Sequence, residues 1–195
     1  MRQITDRRKQ RIHEVLSRRQ PDLTLVMDNI HDPHNVSAVL RSCDAFGVGE
    51  LHLYYTDEPF PRPGRKSSAS AMKWVILHRH TQAEELMAAL RSRSMTVWGA
   101  KCSPSAVPVH SVDFTRPTAI VLGNEHRGLS PELEPFLDGQ VFIPMQGMVE
   151  SLNVSVAAAV LLYEAWRQRF FQGRYAAPAL DQETLDRLFV QWTHK

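Results

Sequence analysis

Cysteine is nearly absent. The 195-residue chain has two, Cys43 and Cys102, at no spacing a metal site would use. No disulfide framework can be built from them, which points to a reducing compartment and an expected location in the cytoplasm. Long hydrophobic runs are missing as well. The most apolar stretch, Val154 to Tyr163, stops at Glu164, well short of the ~20 residues that span a bilayer, so no membrane partner is expected. The basic N-terminus has no apolar segment behind it, unlike a secretory signal. There is no internal repeat and no low-complexity tract.

Three common site motifs are also lacking. A dinucleotide turn needs G-x-G-x-x-G between a strand and a helix. The nearest approach, Gly47-Val-Gly49, follows a helical pattern and lacks the third glycine, so it reads as a helix stop. No G-x-x-x-x-G-K-[ST] occurs, which excludes a P-loop, and no G-x-S-x-G, which argues against a nucleophile elbow. His31-Asp-Pro-His34 has two metal-ligand types, but its proline prevents a regular helical i,i+3 face, and no metal is expected.

What is present is an uneven charge. The net charge is +2, yet residues 1–20 alone carry +5 from Arg2, Arg7, Arg8, Lys9, Arg11, Arg18 and Arg19 against Asp6 and Glu14, leaving −3 for the rest. A basic arm on a mildly acidic body suits a polyanion, although a solvated helix face gives the same pattern.

Apolar periodicity organises the remainder. Residues 5–19 read as a polar, basic helix, with Pro21 as its break, and Leu23–Met27 as a strand. A helix over His34–Phe46, closed by Gly47, carries Val36, Val39, Leu40 and Cys43 on one face. Strands are expected at Leu51–Tyr55, Val75–Leu77, Met95–Ala100, Ala119–Leu122 and Val141–Ile143. The segment from Asp57 to Lys66, with Arg62, Arg65 and Lys66, is a loop. Thr81-Gln-Ala-Glu84 has the form of a capping box for a helix to about Arg93. Ser130-Pro131 predicts a short helix over about 131–137. Asn153 caps an apolar helix from Val154 to about Phe171, and a last helix starts near Asp181. Strands alternating with helices predict an α/β fold, a parallel sheet covered by helices on both faces. Ligands in such sheets bind beyond the C-terminal strand ends, which singles out the loops at 29–35, 99–105, 123–130 and 144–153. Spacing alone does not name the reaction.

Three segments do so by resemblance: Asn29-Ile-His-Asp-Pro-His-Asn35-Val-Ser-Ala-Val-Leu-Arg41-Ser-Cys-Asp-Ala-Phe-Gly47, then Ile120-Val-Leu-Gly123-Asn124-Glu125-His-Arg-Gly128-Leu-Ser130, then Ile143-Pro144-Met-Gln-Gly147-Met-Val-Glu-Ser151-Leu152-Asn153-Val-Ser155-Val-Ala157. In this order they resemble the ribose 2′-O-methyltransferase branch of the SPOUT superfamily, over about 22–175. The likeness is greatest to the tRNA guanosine 2′-O-methyltransferases that act on a D-loop guanosine. Ser37 and His126 stand where glycine is frequent in relatives. An rRNA methyltransferase and a catalytically dead RNA-binding protein of the same fold are the alternatives. The first usually carries a separate N-terminal RNA-binding domain, for which there is no room before Leu23; the intact motif residues argue against the second.

The resemblance implies S-adenosylmethionine as cofactor, tRNA as substrate, a homodimer and a C-terminal trefoil knot at about 119–160. It implies three parts: a basic RNA-binding helix at 1–20, a catalytic domain at 21–172, and a linker and helix at 173–195. Catalysis would fall to Arg41, Asn35, Glu125, Ser151 and Asn153. The cofactor would meet Ala100, Gly123, Ile143 and Leu152, with Gly128 and Gly147 allowing close backbone approach. Arg8, Arg11, Arg19, Arg167, Arg169 and Arg174 would hold RNA. Asn35 and Asn153 also suit helix capping. A guanidinium stays protonated in proteins, so Arg41 suits phosphate binding and alkoxide stabilisation better than proton abstraction. The helix from Val154 to Trp166 is apolar nearly all round, more than one sheet can cover, which also points to a partner subunit.

Overall fold

In the computed structural model, which describes residues 4–61 and 71–195, Leu23–Asp28 (β1) is buried along its whole length. It is flanked on one side by Glu50–Tyr54 (β2) and on the other by Thr118–Leu122 (β6), both parallel to it. Ile76–His80 (β3) lies outside β2. Thr96–Ala100 (β4), Gly139–Phe142 (β7) and the two-residue Val107–Pro108 (β5) continue beyond β6. The order β3-β2-β1-β6-β4-β7-β5 is parallel throughout. The expected α/β architecture is therefore the one observed. The expected cations Arg2, Arg62, Arg65 and Lys66 lie outside the described residues.

Side chains alternate between two apolar layers, as a sheet covered on both sides requires. Leu25, Met27, Leu51, Leu53, Ile120 and Leu122 face one layer. There, helix Pro33–Ala45 (α2) contributes Val36, Val39, Leu40 and Cys43, and helix Val154–Phe171 (α5) contributes Ala158, Leu161, Leu162 and Ala165. Val26, Tyr54, Val97, Ala119 and Val121 face the other layer, against Ala83, Leu86, Met87 and Leu90 of helix Ala83–Arg91 (α4). A single turn, Ala71–Trp74 (α3), precedes β3. The terminal helices Asp6–Leu16 (α1) and Gln182–Thr193 (α6) bury Ile12, Leu16, Leu188 and Trp192 against one another in a separate cluster.

Local signals fared unequally. Asn153 caps α5 as expected, accepting the Ser155 amide at 2.8 Å, and Asp181 caps α6 through Thr184. The capping box at Thr81 does not form: α4 starts after Gln82 with no side-chain cap. Asp32, not Asn35, caps α2, taking the His34 amide at 2.8 Å. The helix expected over 131–137 is only a 3-10 turn, Glu134–Phe136. Pro135 removes an amide donor there, and the Ser130 hydroxyl is bonded to Asp28 instead of capping.

Candidate active site

The chain runs from β1 outward through β2 to β3, then crosses to the other side of β1, where β4 and β5 form before β6 is inserted next to β1. That reversal makes the β1/β6 boundary the switch point, where an open parallel sheet leaves a crevice at its C-terminal edge. Asp28 and Asn29 end β1 there, and Gly123, Asn124 and Glu125 follow β6.

Glu125 is the junction of the crevice. Its carboxylate accepts hydrogen bonds from the Asn35 side chain at 2.8 Å, the His31 amide at 3.0 Å and the Asp32 amide at 3.3 Å. Burial opposes its ionisation, but these donors outweigh burial and hold its pKa below the usual carboxylate value. Asn35 Oδ1 in turn accepts Asn153 Nδ2 at 3.0 Å. One side chain from each of the three motif segments is thus joined in a line: Glu125, Asn35, Asn153.

Beneath this line lies a bracket, partly outside the three motif segments, that sequence reasoning did not single out. Asp28 is fully buried and accepts the Ser130 amide and hydroxyl, both at 2.6 Å, and Asn29 Nδ2 at 3.0 Å. Burial raises its pKa. Asn29 sits at φ +48°. Its Oδ1 accepts the amides of Thr56, Asp57 and Glu58 at 3.0–3.3 Å, while its main-chain carbonyl accepts Asn124 Nδ2 at 2.5 Å. Polar residues directly after an apolar strand were the available signal. Glu58 continues outward to His31 Nδ1 at 3.1 Å, and Asp57 to Arg127 at 2.9 Å.

Gly123 has a steric reason for being glycine. A Cβ there would stand 2.4 Å from the carbonyl carbon of Gly128, because the 124–128 turn folds back over it through paired Asn124 and Gly128 main-chain bonds. Gly128 itself has φ +74°.

Beside the crevice, past the ends of β4 and β7, is a cavity of about 160 Å³. Ala100, Ile143 and Leu152, three of the residues expected to meet the cofactor, line it, and so does Ser151, expected in catalysis, whereas Gly123 is not in its lining. Val141, Leu161 and Ala157 make an apolar wall, with Glu150 and Lys101 at the lining's polar positions. Such a wall accepts a purine ring and the polar groups accept a ribose or an amino-acid moiety, so these residues fit S-adenosylmethionine.

Arg41 lies on the exposed side of α2, away from the cavity lining, and forms no ion pair among the described residues. The six expected RNA-binding arginines divide. Arg8 and Arg11 are exposed on α1, and Arg167 is half-exposed, paired with Glu164 at 2.7 Å. Arg19 and Arg169 are corrected by the structure: their exposures are 3% and 0%. Arg19 binds Asp44 at 2.6 Å and the carbonyls of Val48 and Trp74. Arg169 binds Asp22 and the carbonyls of Phe114, Arg116 and Asp22. Arg174 is half-buried on the other oxygen of Asp22. These three fasten the protein to itself.

Comparisons with known proteins bear on the family and the fold. The model of the SpoU rRNA Methylase family matches residues 22–163. The chain is 45% identical, over all 195 residues and the full length of both proteins, to a tRNA (guanosine(18)-2'-O)-methyltransferase of Thermus thermophilus. The crystal structure of a TrmH/SpoU tRNA modifying enzyme of A. aeolicus superposes with a TM-score of 0.90 at 36% identity, covering 97% of this chain and 96% of that one. The SpoU methyltransferase AviRb of Streptomyces viridochromogenes, in complex with AdoMet, gives a TM-score of 0.71 at 29% identity, covering 78% and 62%.

Proposed function

The chain belongs to the SpoU methylase family, and from that premise we infer that it is a tRNA (guanosine(18)-2'-O)-methyltransferase. It transfers a methyl group from S-adenosylmethionine to the 2′-hydroxyl of a tRNA guanosine. The observation that carries this reading is the full-length match: it includes both terminal helices, not only the 22–163 core shared by the wider family.

The sulfonium of S-adenosylmethionine supplies an activated methyl group. Ala100, Ile143, Leu152 and Ser151 hold it in the cavity past β4 and β7, and Gly123 lets the neighbouring turn close beside it. Glu125 keeps Asn35 and Asn153 in line at the crevice, where their amides orient the ribose. Arg41, exposed on α2 and without an ion pair among the described residues, grips the target phosphate and stabilises negative charge developing on the 2′-oxygen. Alignment of the reacting atoms and charge stabilisation share the work.

Two copies complete the enzyme. Val156, Tyr163 and Phe170 recur every seven residues on α5 and are 48%, 51% and 52% exposed, although the opposite face of the helix is in the core. A partner subunit covers this stripe. The 119–160 region is the trefoil knot of the family. Residues 1–20, with Arg8 and Arg11 outward, and Arg167 near the other end of the catalytic domain (21–172) track the tRNA backbone, and 173–195 returns α6 to α1. None of the described helices is long and apolar enough to cross a membrane, and the enzyme works in the cytoplasm. The test is methyl transfer from labelled S-adenosylmethionine to a tRNA transcript, with the product mapped by position. Label at the 2′-oxygen of guanosine 18 is expected, and transfer only to ribosomal RNA fragments would overturn the reading.

A further inference from the structure

Asn29 forms more side-chain hydrogen bonds than its place at the end of a strand requires. Its Nδ2 faces Asp28 Oδ1 at 3.0 Å, Thr56 Oγ1 at 3.2 Å and Ser130 Oγ at 3.2 Å, and its Oδ1 takes three consecutive amides at 56–58. It is 1% exposed. Its φ of +48° lies in the left-handed region, which asparagine tolerates better than most side chains. Two loops therefore hang on one residue: the one after β2 through the amide, and the one after β6 through Ser130 and through the Asn29 carbonyl, which Asn124 grips.

The second loop carries the chemistry. Asn124 Oδ1 also accepts the amides of His126 and Arg127 at 2.9 and 3.1 Å, shaping the turn from which Glu125 projects. Glu125 then holds Asn35. Asn29 itself faces inward beneath this turn and does not line the cofactor cavity.

We propose that Asn29 is a positioning residue for methyl transfer, its amide bracketing the loops after β2 and β6 so that Glu125 and Asn35 stand in register with the ribose. The inference rests on the methyltransferase reading given above. Misplacement by about 1 Å of groups that orient a substrate can cost ~10²-fold in rate, so a bracket of this kind acts on kcat.

Glycine separates the two duties of Asn29. Asn29→Gly keeps the left-handed backbone and deletes the amide. Expected are a kcat on tRNA lowered about tenfold or more, S-adenosylmethionine affinity within about twofold of the wild type, and cooperative unfolding retained. Asn29→Asp keeps the acceptor and loses the donor, and it sets two carboxylates side by side at 28 and 29, whose repulsion raises the pH at which the pair takes up a proton. Its rate relative to wild type should rise as the pH is lowered from about 8 to about 6, because that proton restores a donor. Combining Asn29→Gly with Glu125→Gln should cost less than the sum of the two single losses. A kcat for Asn29→Gly within twofold of wild type overturns the inference. So does a fall in cofactor affinity parallel to the fall in kcat, or a flat pH ratio for Asn29→Asp. If the wild-type protein, assayed alongside, methylates no tRNA, the methyltransferase reading fails first and separately.

Discussion

The two edges of the sheet bury charge in opposite ways. At the N-terminal edge the buried charges are cations, Arg19 and Arg169, and their acceptors are mainly main-chain carbonyls at segment ends: Val48, Trp74, Phe114, Arg116 and Asp22. At the C-terminal edge they are carboxylates, the buried Asp28 and the half-buried Glu125, and their donors include the amides of His31, Asp32 and Ser130. In a parallel sheet all strands start at one edge and end at the other, so the loops at either edge leave main-chain amides and carbonyls that need partners. The difference lies in what remains free. The arginines spend their donors on fixed carbonyls, whereas the carboxylates arrange the side-chain amides of Asn35 and Asn153 around a crevice. Buried charge at one edge holds the fold, and at the other it shapes a site.

That contrast breaks or sharpens under four measurements. The largest effect is expected at the N-terminal edge. Arg169→Ala leaves one oxygen of Asp22 and three carbonyls without their donor, Arg174 staying on the other oxygen, and should lower stability by about 3–5 kcal/mol, read from denaturant unfolding. A loss below about 1 kcal/mol would mean that the cation is dispensable to the fold. Arg41→Ala is next: methyl transfer should fall by ~10²-fold or more, about 2.7–4 kcal/mol, with unfolding and cofactor affinity unchanged. A variant keeping a tenth of the wild-type rate would remove Arg41 from the mechanism.

The third concerns acid. His52 is buried between His78 and His80, with Nδ1 at 2.9 Å from His80 Nε2, and burial first, then those two neighbours, push its pKa down from 6.5 to about 3. Below pH 6.5 the unfolded chain binds a proton at this ring that the folded chain refuses. Stability from this group is therefore complete above 6.5 and falls as the pH drops toward 3, by at most about 1.4 kcal/mol per pH unit. His52→Asn should flatten that dependence, and an unaltered slope would assign it to other groups. The smallest effect is expected from the exposed cations of α1. Arg8→Ala and Arg11→Ala should each reduce the log–log salt slope of tRNA affinity by about 0.7–0.9. An unchanged slope would show that α1 only packs against α6.

The sequence is a good guide to the sheet and a poor one to its arginines. The apolar runs of β1 and β6 and the cap at Asn153 are local signals, and the structure places them as expected. Nothing local distinguishes Arg167 from Arg169, two residues apart on α5; one turns toward Glu164 and the other is buried against Asp22, Phe114 and Arg116, in the segments that lead into β1 and β6. Arg19 likewise belongs to a basic run, yet the last turn before β1 directs it beneath Trp192. The two-residue β5 is too short to show a period. At the site, the three motifs name Glu125, Asn35 and Asn153, but their meeting depends on the β1/β6 reversal, which only the fold supplies. Asn29 and Asp28 were inconspicuous because a polar pair after a strand ordinarily marks a turn.

The closeness of Gly123 to Gly128 has a mechanical meaning. With Gly128 and Leu129 main chain at 2.4–2.6 Å from where a Cβ on Gly123 would stand, no side chain fits between the turn and the end of the strand. The turn behaves as a rivet, not a lid. Repacking side chains in either apolar layer does not reach Glu125 directly, since its turn is held by main-chain bonds and by the polar bracket at Asn29. Altering the reach of this site therefore means changing what stands on the turn, at His126 or Arg127, while the path of the turn itself stays as it is.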